Sequence, residues 1–200
     1  TTDELIPSGE TSSYRSNPLG LAEFTLARKD PDYVRRAKEV KKAELAIEIK
    51  NNPAEALPEI QPVLATVQKK FPSVNSANLG VGSVIFAVTP GDGSARAASC
   101  QKVLGGWANI ANEYATKRYR SNLINWGILP FLISSGDLPF NNGDYLFVPN
   151  VRKSIEEKDE IITSYVVRDN LKKFEMKFGN LTDNERKILL KGCLINYYKR

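Results

Sequence analysis

The chain has 200 residues and a formal net charge of +5 at pH 7, and it contains two cysteines and no histidine. Without histidine it cannot build a Ser-His-Asp or Cys-His catalytic triad by itself. It also cannot supply a histidine-containing or four-thiolate zinc site, nor the roughly four thiolates that usually hold an iron–sulfur cluster. Any acid–base chemistry of this chain alone must therefore use carboxylates, lysine, tyrosine, serine or arginine.

The length suits one large domain with a sizeable core, and the first residue is Thr1 rather than Met, as in a piece of a longer protein. Cys100 and Cys193 are far apart and share no motif, so we expect two reduced, buried thiols in a cytoplasmic protein. No stretch approaches the roughly 20 apolar residues of a membrane span, and no signal segment opens the chain. Lysine and arginine are spread along the sequence, so the charge permits an anionic partner without indicating nucleic acid.

Local patterns in the first 71 residues predict mainly helices. In chain order they are an extended loop over 1–20, a short helix over 21–28, a helix from Asp30-Pro31 to Ile49 and a helical stretch over 55–71 broken by Pro58 and Pro62. Asn51-Asn52-Pro53 separates the last two. Residues 31–71 therefore predict a basic helical hairpin, whose charges we interpret as a solvated helical face.

After Pro72 the pattern changes to strands alternating with helices. The predicted elements are a buried strand at 81–88, a helix from the Gly91–Ser94 turn to Leu104, a strand at 107–110, a helix at 113–126, a buried strand at 128–133, a strand at 145–148, paired strands at 161–167 and 172–177, and a C-terminal helix. A capping box from Thr182 to Glu185 opens that last helix, with Ile188, Leu189, Leu194 and Ile195 on its apolar face. This order predicts an α/β fold with an added antiparallel portion.

The most informative segment is Pro90 to Arg96, in which a buried strand runs through two glycines into a helix that starts near Ser94. Glycine lets the backbone approach a ligand closely, and the N–H groups of a helix N-terminus attract an anion. Arg96 can make a paired contact to a carboxylate or phosphate. The Lys-Ser/Thr ending of a Walker motif is absent, so the spacing alone fits both an anion site and a plain strand-to-helix turn.

Two further segments carry chemical groups. The opening loop holds hydroxyls, Asp3 and Arg15, and by itself it fits a surface connector. In residues 113–131, Lys117, Arg118 and Arg120 alternate with tyrosines, a pattern that nucleic-acid-binding segments share. We favour an amphipathic helix there, with Leu123, Ile124 and Trp126 in the core.

Taken together and in this order, these segments resemble the C-terminal swivel domain of the aconitase family of hydro-lyases. The matching segments are Thr1-Thr2-Asp3, Pro7-Ser8-Gly9, Arg15, Gly91-Asp92-Gly93-Ser94-Ala95-Arg96-Ala97, Leu104-Gly105-Gly106 and Asn122 to Pro130. The resemblance covers nearly the whole chain, residues 1–200, with residues 31–71 as a helical insertion. Ala95 and Ala97 depart from the pattern, since the family has a serine and an acid at these positions.

The resemblance implies roles for individual residues. Ser94 matches the serine that removes a proton beside a substrate carboxylate, and Gly93 lies in the same substrate-binding turn. Arg15 and Arg96 match arginines that bind substrate carboxylates. Asp3 matches an aspartate that pairs with a histidine of another domain, and Thr2 accompanies it as catalytic support. No metal ligand of this chain is implied.

The resemblance also implies a three-layer β/β/α domain with a parallel-rich mixed sheet, working as part of a hydratase that reversibly dehydrates a hydroxy-carboxylic acid. The implied cofactor is a 4Fe-4S cluster held by other domains or by a large subunit, so we expect the isolated chain to be inactive. The implied partners are a di- or tricarboxylate substrate and the cluster-bearing part of the enzyme, not a membrane, and nucleic acid is not favoured. Two alternatives stay open: a catalytically altered carboxylate-binding relative and an RNA-binding aconitase-like protein.

Overall fold

The computed structural model describes residues 2–7, 9, 11–14, 16–91 and 95–199. Its helices are α1 Thr2–Leu5, α2 Pro18–Ala22, α3 Tyr33–Glu48, α4 Pro53–Ala56, α5 Ile60–Lys70, α6 Ala95–Val103, α7 Lys117–Asn125, α8 Val151–Glu156, α9 Asp183–Leu190 and α10 Leu194–Tyr198, with a 3-10 turn at Ser12–Tyr14. Its strands are β1 Ser83–Ala87, β2 Gly106–Ala111, β3 Leu129–Leu132, β4 Tyr145–Phe147, β5 Ile161–Val167 and β6 Leu171–Lys177.

The six strands form one mixed sheet in the order β1-β2-β3-β6-β5-β4. Strands β1, β2 and β3 are parallel, because α6 and α7 provide the crossovers that parallel neighbours require. Strands β6, β5 and β4 are antiparallel, and they join the parallel half through the single pair Leu132–Lys177. The α/β class and the strand–helix–strand order predicted from the sequence are confirmed.

The two faces of the parallel half pack against different layers. One face, through Ile85, shares a core with α6 and α7 residues such as Ala98 and Leu123. The other face, through Ile110 and Phe131, packs on the antiparallel half and the segments around it. The result is a helical layer, a parallel layer and an antiparallel layer of one curled sheet, which agrees with the predicted β/β/α arrangement.

Helix α3 begins two residues later than Asp30-Pro31 predicts, with Asp32 at its N-cap. The Asp30 carboxylate is used elsewhere, since it accepts a hydrogen bond from Arg36. The apolar residues of α3 are only partly buried: Ala37 is in the core, whereas Leu45, and Ile49 just after the helix, are 48% and 69% exposed.

The helical hairpin of residues 31–71 is joined to the sheet by polar contacts as well as apolar ones. The Glu44 carboxylate accepts the Val81 N–H at 2.6 Å, and Tyr145 Oη donates to Glu59 Oε1 at 2.7 Å. Burial raises the pKa of the Glu44 carboxyl, whereas the bond from Val81 opposes this shift. The start of α3 shares a core cluster with α6 and α7, whereas Ala43, Leu57 and Ile60 form a separate cluster that Val81 and Tyr145 pack against.

The N-terminal segment is helical where the sequence predicts an extended loop. Asn17 caps α2 by accepting the Gly20 N–H at 3.0 Å, with Pro18 at the first helical position. Leu5 is 7% exposed, and its carbonyl accepts the Leu26 N–H at 2.8 Å. Burial of apolar side chains against the rest of the domain outweighs the loop-like composition.

The capping box at Thr182 and Glu185 forms as predicted and opens α9. The predicted single C-terminal helix is wrong, because the chain turns at Gly192, whose φ is 88°, and resumes as α10. Ile195 lies on α10 and is 66% exposed, so its predicted place on the apolar face was wrong too.

We expect Gly127→Ala to destabilise the fold strongly. Gly127 has a φ of +70°, and a Cβ atom there would lie 1.7 Å from the Gly192 carbonyl oxygen. A left-handed alanine costs about 1–2 kcal/mol, and the backbone clash should raise the loss to about 3 kcal/mol or more. Urea unfolding monitored by circular dichroism measures it.

Gly143→Ala is the matched control, since Gly143 has a φ of +92° and open space around its Cβ direction. Its free energy of unfolding should fall only by the cost of a left-handed alanine, about 1–2 kcal/mol. Equal losses in the two variants would show that the contact between Gly127 and Gly192 does not limit stability.

Candidate functional site

The candidate site lies at the carboxyl ends of the parallel strands, where open α/β sheets usually bind ligands. Pro90 and Gly91 follow β1 and are buried, and Arg96 lies half-buried on the first turn of α6. Three of the predicted site residues, Arg15, Gly93 and Ser94, lie outside the described residues. The structure therefore fixes both ends of the predicted turn, at Gly91 and at the start of α6.

The N-terminal segment and α6 lie against each other. Helix α2 packs directly on α6, and Leu5 and Leu21 belong to the same core cluster as Ala97 and Ala98. Residues 2–7, which include the predicted Thr2 and Asp3, enter this packing through Leu5 and Ile6, whereas the Asp3 side chain is exposed. Segments about 90 residues apart in sequence thus meet beside Arg96.

One departure from the family pattern is explained by this packing. Ala97 is 3% exposed and lies in the apolar cluster between α6 and the N-terminal helices. A carboxylate at this position would lose its water in apolar surroundings, which is costly. In this chain the residue after Arg96 is therefore a packing residue.

The loop after β2 holds the end of β1 in place. The Val88 carbonyl accepts the N–H groups of Asn112 and Glu113 at 3.1 and 3.3 Å, and the Pro90 carbonyl accepts the Ala115 N–H at 3.1 Å. Asn112 also donates its side-chain amide to the carbonyls of Ile133 and Ser134, at 3.1 and 3.2 Å.

Sequence reasoning missed this loop because it carries no motif. Its one signal is its position directly after β2, at the carboxyl edge of the sheet where sites on α/β folds cluster.

A buried polar cluster fixes α6 and α7 on the sheet. Asn109 of β2, which is 2% exposed, accepts a bond from the Gln101 side chain of α6 and donates to Tyr119 Oη of α7 at 2.8 Å. Beside it, Tyr114 Oη donates to the Phe131 carbonyl at 3.1 Å. Burial raises the pKa of both tyrosines, so both remain neutral phenols.

Helix α7 packs against the core and contacts α9. Leu123 and Ile124 are buried as predicted, but Trp126 is 38% exposed, so its predicted place in the core was wrong. Arg120 pairs with Glu185 at 3.4 Å and donates to the Asn180 carbonyl at 3.2 Å. Arg120 therefore ties α7 to the start of α9.

Both cysteines are free thiols, and they lie in different surroundings. Cys100 is 1% exposed, and burial raises the pKa of its thiol to about 11. Cys193 is partly exposed, so its predicted burial was wrong. Among the described residues, no group of three or more cysteine, aspartate or glutamate side chains is arranged to hold a metal ion. In the same parts of the chain, no helix has the length and apolar character needed to cross a bilayer.

This chain is similar to a known protein in its structure. In sequence, the chain matches no protein-family model and no curated protein. In structure, it is similar to 3-isopropylmalate dehydratase from Methanocaldococcus jannaschii, with a TM-score of 0.54 and 19% identity over 98% of this chain and 84% of that chain. At this identity the similarity establishes the shared fold. The predicted resemblance to the aconitase-type swivel domain is thus confirmed at the level of the fold.

We expect Asn109→Ala to destabilise the domain by about 2–4 kcal/mol, because it leaves the buried groups of Gln101 and Tyr119 without their partner. Asn196→Ala is the control, since its amide makes a single exposed bond to the Lys191 carbonyl at 3.1 Å and should change stability by about 0.5 kcal/mol. Urea unfolding of both variants compares them. Similar losses would mean that the buried cluster contributes no more than a surface bond.

Stability should fall as the pH rises from about 9 to about 11, and part of this loss should belong to Cys100. The thiol has an ordinary pKa of 9.0 and a pKa of about 11 in the fold, so the unfolded chain gives up this proton first. The protonated Cys100 thiol therefore contributes its full share to the free energy of unfolding below pH 9, and this contribution is lost as the pH rises toward 11.

Cys100→Ala should make the free energy of unfolding less dependent on pH in this window, by about 1–2 kcal/mol between pH 8 and 11. Urea unfolding at several pH values, compared with the parent chain, measures the difference. Parallel curves for the two proteins would contradict the assignment to Cys100.

Proposed function

We propose that residues 1–200 form the swivel domain of an aconitase-like hydro-lyase, with residues 31–71 as a helical insertion. The chain would act in the reversible dehydration of a hydroxy acid that carries two or three carboxylates. The observation that carries the proposal is the packing of the N-terminal helices on α6, beside the end of β1. Two of the segments that hold the motif residues meet there. The fold similarity to a dehydratase along nearly the whole chain supports it.

In this proposal Ser94 is the base that removes a proton from the carbon beside a substrate carboxylate. A serine hydroxyl is a very weak acid, so its alkoxide form needs cations and N–H donors around it. Ser94 directly precedes α6, whose first N–H groups have no partner within the helix. Gly93 would let the backbone approach the substrate closely.

Arg96 and Arg15 would bind the substrate carboxylates. A guanidinium binds a carboxylate through two parallel hydrogen bonds, which fixes its orientation as well as its position. Holding the carboxylates would set the reacting carbon within reach of Ser94, and such positioning lowers the barrier without further chemistry. Asp3, supported by Thr2, would interact with a group supplied by another domain.

The residues of this chain do not fit the ligand set of an iron–sulfur cluster. Cys100 is enclosed in the core between α6 and the sheet, and its raised pKa disfavours the thiolate that metals bind. Cys193 lies just before α10, in a different part of the fold. We therefore propose that a 4Fe-4S cluster is held by other domains or by a large subunit. When bound there, it would supply Lewis-acid chemistry at the substrate hydroxyl.

One observation favours a second candidate, a relative that binds carboxylates without turnover. Ala97, which stands where the family has an acid, is buried in apolar packing, so no acid can take part at this position. The departure alters the surroundings of Arg96 while leaving a carboxylate-binding guanidinium in place. Binding and turnover therefore have to be measured separately.

We expect Ser94→Ala to abolish turnover in the complete, cluster-loaded enzyme, tested with 3-isopropylmalate, citrate and isocitrate. Loss of a general base typically lowers the rate by about 10²–10⁴-fold. Substrate binding, measured by calorimetry, should remain because the arginines are unchanged. Absorbance of the unsaturated product follows the reaction.

Ser76→Ala, at an exposed turn away from the carboxyl edge of the sheet, is the control and should keep full activity. The purified 200-residue chain alone should show no hydratase activity. Near-normal turnover by Ser94→Ala would reject the role of Ser94. Binding without turnover in the unsubstituted enzyme would favour the second candidate.

A further inference from the structure

The loops that follow β1, β2 and β3 are connected to one another by hydrogen bonds beyond the strand ladders. The loop after β2 donates three backbone N–H groups to the two carbonyls of Val88 and Pro90 after β1. The same loop reaches the other neighbour through the Asn112 side chain, which donates to Ile133 and Ser134 after β3. The middle loop thus joins both of its neighbours at the candidate site.

Asn112 makes hydrogen bonds to both neighbouring loops, the one after β1 and the one after β3. Its backbone N–H bonds to Val88 at 3.1 Å on one side. Its side-chain amide bonds to the Ile133 and Ser134 carbonyls on the other side, at 3.1 and 3.2 Å. An amide is suited to this position because its NH₂ group has two donors and carries no charge. An isosteric aspartate would have no donors when ionised and would repel both carbonyls.

Close packing supports the same connection. A Cβ atom on Gly91 would lie 3.1 Å from the Ala115 Cβ, so the backbone at the start of the turn lies against the middle loop. Tyr114, between Asn112 and Ala115, is held by its hydroxyl, whose single proton is shared between the Phe131 and Asn109 carbonyls at 3.1 and 3.3 Å. The middle loop is therefore anchored at both its first residue and its centre.

We propose that Asn112 is a positioning residue that fixes the end of β1 at Val88 to Gly91, from which the chain continues toward Arg96. This inference rests on the proposed function in one respect, namely that Ser94, three residues after Gly91, is the base. Misplacement of a reacting group by about 1 Å can cost about 100-fold in rate. Loss of the Asn112 amide should therefore lower kcat much more than it changes KM.

Two measurements on the full chain test the proposal, with Asn112→Asp and Asn112→Ala as the variants. The first is amide hydrogen exchange of peptides that cover residues 86–97, which reports local opening and requires no activity. We expect exchange there to become at least about tenfold faster in both variants, while peptides from β5 and β6 keep their rates. The second, in the complete enzyme with 3-isopropylmalate, citrate and isocitrate, is kcat and KM, where we expect kcat to fall about tenfold or more with KM within about threefold.

Asn78→Asp and Asn78→Ala are the matched controls. Asn78 also makes two bonds to backbone, donating to the Ser73 carbonyl at 2.8 Å and accepting the Asn75 N–H at 2.9 Å. It precedes β1, at the opposite edge of the sheet, so its loss should leave exchange of residues 86–97 and kcat unchanged. If the Asn112 variants fail to fold, Tyr114→Phe tests the same loop by removing the hydroxyl whose proton the Phe131 and Asn109 carbonyls share at its centre.

The outcomes separate the two proposals. Unchanged exchange over residues 86–97 in a folded Asn112 variant would overturn the positioning role, whatever the enzyme does. A parent enzyme with no activity on any of the three acids, combined with faster exchange, would keep the positioning role and argue against the proposed reaction. Faster exchange with unchanged kcat would show that Asn112 holds the loops without positioning the reacting group, and would also overturn the proposal.

Discussion

The buried amide of Asn109 is the interaction on which the arrangement of the helical layer depends. It lies at the centre of β2 and bonds to one side chain from α6 and one from α7. Apolar packing alone resists separation of the layers but tolerates small sliding movements, whereas a buried amide loses its partners when a helix shifts. The Asn109 side chain therefore contributes, together with this packing, to the direction of α6, on which Arg96 lies.

The hairpin of residues 31–71 adds a further constraint on the sheet, since it makes hydrogen bonds at both of its outermost strands, β1 and β4. Glu44 accepts a hydrogen bond from the Val81 N–H, two residues before β1, and Glu59 accepts one from the Tyr145 hydroxyl of β4. These two strands are the edges of the sheet, where unpaired backbone groups invite unwanted pairing with other chains. The hairpin thus makes one hydrogen bond just before β1 and one to β4, the two strands at the edges of the sheet.

Much of the fold was predictable because the apolar runs of β1 and β3 are short, β-branched or aromatic, and flanked by glycine and proline. The capping box of α9 was predictable because its contacts are local. Other features depend on tertiary contacts, which local patterns do not show. The opening segment buries Leu5 where a loop is predicted, and Trp126 is exposed in spite of its size. Asn112, which no motif marks, gains its partners only when three loops meet. The chemistry of a single residue does not indicate which distant segments it will contact in the fold.

The single pair between Leu132 and Lys177 has a consequence for how the chain folds. Strands β5 and β6 are neighbours in sequence and pair along their full length, so they can form early at little loop-closure cost. The parallel half needs two long crossovers before its strands meet. Because the backbone of the two halves is joined by one pair, we expect the antiparallel hairpin to nucleate independently and the β3–β6 pairing to form after it.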